Sequence, residues 1–106
     1  MTTPLAVIAE PRRQAILRLV WNEERGAGDI AAHFDITFGA VSQHLRVLRE
    51  AGLVTMRKDG RQHFYRADIA AFGALAPVLE AMWRDRLSLL KTLAEAEEPR
   101  NARKRR

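Results

Sequence analysis

The sequence predicts a mainly helical domain carrying one small β-hairpin, and three observations support that class. Apolar residues recur at three- and four-residue spacing through most of the chain. One tract, "VTMRKDGRQHFYR", alternates apolar and polar residues ahead of Asp59-Gly60, a strong short hairpin signal. Finally, 106 residues with 47% hydrophobic and 29% charged side chains suffice for one core and no more.

The elements follow in order. Thr3-Pro4 reads as an N-cap followed by proline at the first helical position, opening a short helix to about Ala9. Pro11 restarts the chain, and Ile16, Leu17, Val20 and Trp21 have the spacing of a helix to about Asn22. "EERGAG" reads as a turn. A brief helix follows over about Asp29–Phe34, with Ile30 and Phe34 one turn apart. After the short connection "DIT", Thr37 caps a helix over Phe38–Ala51, about 21 Å long at 1.5 Å per residue. Val41, Leu45 and Leu48 form its buried stripe, and Gly52 takes the left-handed position past its end while Leu53 folds back onto the last turn.

In the hairpin, a type I′ turn is expected, with positive φ at both central residues, Asp59 and Gly60. The last structured segment spans about Ile69–Glu98, interrupted at Pro77, where the longer helix starts anew. Leu75, Leu79, Met82, Trp83, Leu87, Leu90 and Leu93 form an apolar stripe wider than a peripheral helix of so small a domain needs. With Phe72 it reads as dimer core rather than a ligand pocket, and a second copy of the chain is the expected recipient. The chain thus divides into one domain, 1–98, and a basic disordered tail, 99–106. That tail either adds non-specific attraction to a polyanion or reflects nothing more than the chain's end.

Composition excludes several classes. With no cysteine there is no disulfide, thiol nucleophile or thiolate metal site. No apolar run approaches the ~18 residues of a membrane span. "LAVIA" is too short for a leader core, and its arginines follow it rather than precede it. A soluble cytoplasmic protein is expected, with no membrane partner. Catalysis is not expected either: no paired catalytic carboxylates, glycine-rich phosphate loop or triad stands out.

The formal net charge of +5 comes from the tail, since "RNARKRR" carries five basic residues while residues 1–99 hold thirteen basic and thirteen acidic ones. The local distribution is more informative. Between Arg46 and Arg66, six basic residues (Arg46, Arg49, Arg57, Lys58, Arg61 and Arg66) face only Glu50 and Asp59. That excess marks a surface suited to a polyanion.

Two short-linked helices, the second amphipathic and well capped, form a helix-turn-helix, and the basic hairpin after it makes a winged helix-turn-helix. The buried stripe turns Ser42, Gln43 and Arg46 outward, with Thr37, Phe38 and Gly39 at the N-terminal end. Glutamine can bond adenine bidentately, serine adapts to either partner, and arginine bonds guanine or phosphate. Gly39 lowers helix propensity but lets first-turn N–H groups come close to a phosphate. Phe38 either touches a thymine methyl or covers the preceding helix. Arg57, Lys58 and Arg61 on the wing are expected to contact phosphate or the minor groove, setting affinity and salt dependence rather than sequence preference.

"PRRQAILRLV", "GDIAAHFDIT", "AVSQHLRVLREAGLV" and "RKDGRQHFYR" together resemble the ArsR/SmtB family of dimeric bacterial regulators, over roughly Pro11 to Arg66. The resemblance implies a sequence-specific repressor on a pseudo-palindromic double-stranded DNA operator. The helix at 38–51 would enter the major groove, with the 54–66 hairpin as a wing beside it. It also implies a homodimer through the first and last helices (about 3–9 and 69–98), with Leu5, Ile8, Leu79, Met82, Trp83, Leu87, Leu90 and Leu93 in the interface.

The family's metal sensors carry cysteines on the helix equivalent to 28–34, or His/Asp clusters on the terminal helix. Here the former reads "GDIAAHF" and the latter has no histidine. His33, His44 and His63 have no ligand-pair spacing, so no metal or other cofactor is expected. His44 reads as a partly buried hydrogen-bonding residue or a phosphate contact. The signal that relieves repression, a small molecule or a protein effector, stays open. A winged helix that binds protein and never touches DNA is the alternative, against which the local basic excess argues.

Overall fold

The computed structural model describes residues 3–104, with the side chains of residues 87, 88 and 97–104 outside the description. It divides into two compact units, Met1–Gly73 and Ala74–Arg106. The first holds helices α1 (Pro4–Ala9), α2 (Pro11–Val20), α3 (Ala27–Ala31) and α4 (Phe38–Glu50). It also holds strands β1 (Arg25–Gly26), β2 (Val54–Asp59) and β3 (Gln62–Ala67), and a 3-10 turn over Ile69–Phe72. The second unit is one helix, α5 (Leu75–Lys104).

Side-chain caps open the helices of the first unit. Thr3 Oγ1 accepts from Ala6 N at 3.2 Å, Glu10 Oε2 from Arg13 N at 2.8 Å and Thr37 Oγ1 from Ala40 N at 3.0 Å. Pro4 and Pro11 each occupy a first-turn position, where a missing N–H costs nothing. The core gathers Val7, Ile16, Leu17, Val20, Ile30, Val41, Leu45 and Leu48. Trp21 closes against Phe72 edge to face, with ring centroids 4.9 Å apart. Helix α4 ends as expected. Gly52 adopts φ +77°, its N–H donates to Arg49 O at 3.0 Å, and Leu53 N–H donates to Leu48 O at 3.0 Å, the paired bonds of a Schellman ending. Leu53 is buried by the reversal.

Several boundaries differ from the sequence reading. Helix α2 ends at Val20 rather than Asn22. Helix α3 starts and ends earlier than Asp29–Phe34, because His33 N and Phe34 N bond back to Ile30 O and Ala31 O, tightening the end into a turn. Residues 32–37, not "DIT" alone, therefore join α3 to α4. "EERGAG" is not only a turn: Arg25 and Gly26 pair with Tyr65 and Phe64, so the hairpin is part of a three-stranded antiparallel sheet in the order β1-β3-β2. The hairpin loop is shifted by one residue. Asp59 pairs with Gln62, leaving Gly60 and Arg61 at the centre, and Gly60 alone has positive φ (+63°). One positive φ at the first central residue is the II′ pattern, which demands nothing unusual of Arg61.

Pro77 does fall in the first turn of a new helix, separated from the 3-10 turn by Gly73 and Ala74. Helix α5 runs past Glu98 to Lys104. The sequence reading put the boundary at Pro99, but Arg100, Ala102, Arg103 and Lys104 beyond it are good helix formers. Arg105 and Arg106, the end of the expected tail, lie outside the described residues. Among the described residues no helix is long and apolar enough to cross a membrane.

Candidate nucleic-acid interface

Helix α4 is the centre of the site. Val41, Leu45 and Leu48 are fully buried, so at about 100° per residue the opposite side must face out. Ser42, Gln43 and Arg46 are exposed there, with Gly39 one turn earlier. Phe38 is 57% exposed, so more than half of its surface is open to a partner. Arg49 extends the row at Ser42 plus seven and is also exposed, a residue left out of the contact set drawn from sequence. Arg46 lies 3.7 Å from Glu50, both more than two-thirds exposed, a pair that water or a phosphate can replace at little cost.

Thr37 spends its hydroxyl on the cap, which leaves its role at the interface to the backbone of the first turn. A Cβ built on Gly39 meets only Thr37 Oγ1 at 4.0 Å, so nothing inside the chain requires glycine there. Its small size is available to a partner.

His44 is turned away from this face, about 160° around the helix from Arg46. Its side chain is mostly buried, with Nδ1 3.5 Å from Arg13 Nη1 and 3.8 Å from Glu10 Oε2. Of the two sequence readings of His44, the partly buried hydrogen-bonding one fits this placement. His33 Nδ1 donates to Asp29 O at 2.9 Å, and His63 stands on β3 opposite Lys58. The three histidines occupy separate places, and among the described residues no three of His, Asp and Glu are gathered to hold a metal ion.

The wing differs most from expectation. Lys58 and Arg61 are exposed, and neither has a partner among the described residues. Arg57 does not share that freedom. Its Nε and Nη2 donate to the two carboxylate oxygens of Glu24 at 3.0 and 2.7 Å, and its guanidinium carbon sits 4.7 Å from the Phe64 ring centroid. Arg66 Nη2 lies 3.5 Å from Asn22 O. The basic excess over 46–66 therefore reduces mainly to Arg46, Arg49, Lys58 and Arg61 as cations open to a partner. The hydrogen bond and charge of Arg57 hold the Glu24 carboxyl below its ordinary value of 4.5. The pair consequently persists as pH falls through that value and is lost only below it. Glu24 was not among the sequence candidates. It precedes a strand too short to show any periodicity, and only the fold brings residues 24 and 57 together.

Helix and wing open onto a shared cleft of about 800 Å³, bounded by Phe38 and Ser42 on α4, Gly28 on α3, and Arg61, His63 and Phe64 on the hairpin. A helix carrying adaptable hydrogen-bonding side chains, flanked by a basic hairpin across a cleft, is the geometry of a winged helix on DNA.

Comparison with known proteins points the same way. Residues 10–56 match a profile described as "Bacterial regulatory protein, arsR family". The chain is 42% identical to a crystal structure described as "Possible transcriptional regulator for arsenical resistance", over 87% of this chain and 96% of that one, with a TM-score of 0.68. The chain belongs to the arsR family of bacterial regulatory proteins. Similar proteins include the transcriptional repressor SdpR of Bacillus subtilis, 34% identical over 61% of this chain and 72% of that protein. The transcriptional activator HlyU of Vibrio cholerae is 30% identical over 74% of this chain and 73% of its own length. Like them, the chain is a transcriptional regulator.

Dimer-interface expectations divide in the structure. Ile8, Leu79 and Trp83 are already buried within the single chain, so they are not apolar surface waiting for a partner. Leu5, Met82, Leu90 and Leu93 are exposed, joined by Val78 and Leu89, which the sequence reading omitted. The Leu87 side chain lies outside the described residues. The predicted stripe was thus two neighbouring stripes. Val78, Met82, Leu89 and Leu93 fall on one line of α5 at helical spacing, while Leu79 and Trp83 sit one turn apart on another.

Proposed function

We propose that this arsR-family chain is a cytoplasmic homodimeric repressor that binds a pseudo-palindromic operator and acts by occupying it. The observation that carries the reading is the exposed row Ser42, Gln43 and Arg46 on a helix whose other face is locked in the core. In this reading α4 enters the major groove, Gln43 and Arg46 bond base edges, and Ser42 and Phe38 complement them. Gly39 and the capped first turn approach the backbone, where free N–H groups suit a phosphate. Lys58 and Arg61 supply the wing's phosphate contacts. Two such helices in a dimer would read half-sites ~10 bp apart, or a multiple of that. SdpR is named a repressor and HlyU an activator, so the direction of regulation is the part of the reading that most needs a promoter assay.

Selection of bound fragments from the source genome, followed by titration of the recovered DNA against salt, tests the reading. A shared inverted repeat is expected. Absence of any enriched fragment would sink it. On the recovered site, Arg61→Ala should weaken binding to all sequences alike and reduce the salt slope by ~1, the signature of one lost phosphate contact. A change confined to one base position would contradict that role.

The proposed dimer rests on the exposed line Val78, Met82, Leu89 and Leu93 of α5, apolar surface that a lone small chain would leave wet. Introducing Leu89→Glu and Leu93→Glu together should yield monomers in sedimentation at concentrations where the parent chain is dimeric. DNA affinity should fall with it, because the second half-site no longer contributes. A double variant that remains dimeric would move the interface elsewhere.

A further inference from the structure

Across the sheet, Phe64 of the central strand β3 stands opposite Gly26 of β1 on one side and Arg57 of β2 on the other. Directly opposed residues share a face, so these positions form one row. Arg57 lies over the Phe64 ring, and one edge of its guanidinium is bonded to a carboxylate. Nε and Nη2 take the Glu24 carboxylate, and Nη1 lies 3.8 Å from Asp59 Oδ2. A fork–fork bond to a carboxylate is the same geometry arginine uses for phosphate, so the Nε/Nη2 edge of Arg57 is already taken. Within the pair the charges of Glu24 and Arg57 cancel, so the pair itself offers an incoming phosphate no net attraction.

Glu24 stands two residues before Gly26, where the chain leaves α2 for β1 and α3. The backbone joins β1 to β3 through only two residue pairs, Arg25 with Tyr65 and Gly26 with Phe64. Arg25 in turn donates from Nε to Leu19 O of α2 at 2.9 Å and pairs with Asp29 of α3 at 3.0 Å. The bond from Glu24 to Arg57 therefore ties β2, the edge strand of the wing, to the segment anchored on both α2 and α3.

We propose that Glu24 is a positioning residue for DNA binding: by holding Arg57 against Phe64 it fixes the angle of the wing to the helix-turn-helix. Arg57 then serves the fold of the wing and is not one of its phosphate-binding cations. The DNA part of this inference rests on the function proposed above. It replaces the phosphate role that the sequence alone suggested for Arg57.

The test uses the full chain and two readouts, hydrogen exchange of the free protein and titration of both a genome-selected fragment and a random duplex of equal length. Glu24→Gln is close to isosteric on an exposed site, so folding should survive. The expected result is faster exchange at β2 and β3 amides and a several-fold loss of affinity, with the salt slope unchanged. Arg57→Ala should behave alike, and the double variant should be no worse than Arg57→Ala, since both remove one interaction. Tighter binding by Glu24→Gln with a slope steeper by ~1 would overturn the proposal, making Glu24 a competitor of DNA for Arg57. Unaltered exchange, or additive losses in the double variant, would overturn it too. If the parent chain bound no DNA the proposed function would fail, while the exchange comparison would still decide whether Glu24 holds the wing.

Discussion

Replacing Gln43 and Arg46 together with alanine is expected to abolish discrimination between operator and random DNA, leaving a weaker, salt-sensitive association. Each bidentate contact to a base is worth ~1–3 kcal/mol of discrimination, so the pair should cost ~2–6 kcal/mol, or about 30-fold to 25,000-fold in specific affinity. Both side chains are exposed, and Arg46 has only the loose contact to Glu50, so the melting temperature should barely change. Affinity for random duplex should fall much less, because Lys58, Arg61 and Arg49 remain. Competition titrations with the two DNAs separate these effects. A double variant as selective as the parent would remove α4 from the reading of sequence.

The second large effect concerns what holds that helix down. Leu48 is 0% exposed, and Leu48→Ala deletes three buried carbons between α4 and the rest of the core. Truncations of this kind cost about 2–5 kcal/mol, more where the site cannot collapse. Small domains have about 5–15 kcal/mol of total stability, and one of this size belongs at the lower end. Urea unfolding at fixed protein concentration should therefore show a large loss of midpoint, with the unfolded fraction appreciable near physiological temperature. Concentration must be held constant because dimerisation would add to apparent stability. A loss below about 1 kcal/mol would mean that the core repacks around the gap, and that the helix is held by other contacts.

These two positions illustrate what could be read in advance. Helix α4 announced itself because three independent signals agreed: a capping threonine, an i, i+4, i+7 stripe and a glycine at the reversal. Each reappears in the structure as a bond or a buried side chain. Strand β1 could not be read, since two residues carry no alternation, and its partners lie some forty positions away. The hairpin turn was recognised from Asp59-Gly60, but its register was not, because one glycine suits either of two neighbouring frames and cross-strand pairing chooses between them.

The same distinction applies to the site. Exposure of Ser42, Gln43 and Arg46 follows from the helical period once the buried side is known, and period is local information. The fate of a charge is not. Arg57, Lys58 and Arg61 look equivalent in the sequence, yet a carboxylate from a distant turn takes one and leaves two. On α5, likewise, apolar spacing identified a stripe but could not separate Leu79 and Trp83, buried in the chain, from Met82, Leu90 and Leu93, which are exposed.

The Schellman reversal at Gly52 has a further consequence. Leu53 is the only residue between that glycine and the first residue of β2, and it is itself buried. Helix α4 and the hairpin are thus joined without a hinge, and no loop must freeze when both meet a duplex at once. Conformational entropy that a flexible connection would lose on association has already been lost in folding. A reader built this way should associate quickly with DNA whose local shape already fits it. Where the shape does not fit, the duplex rather than the protein must bend.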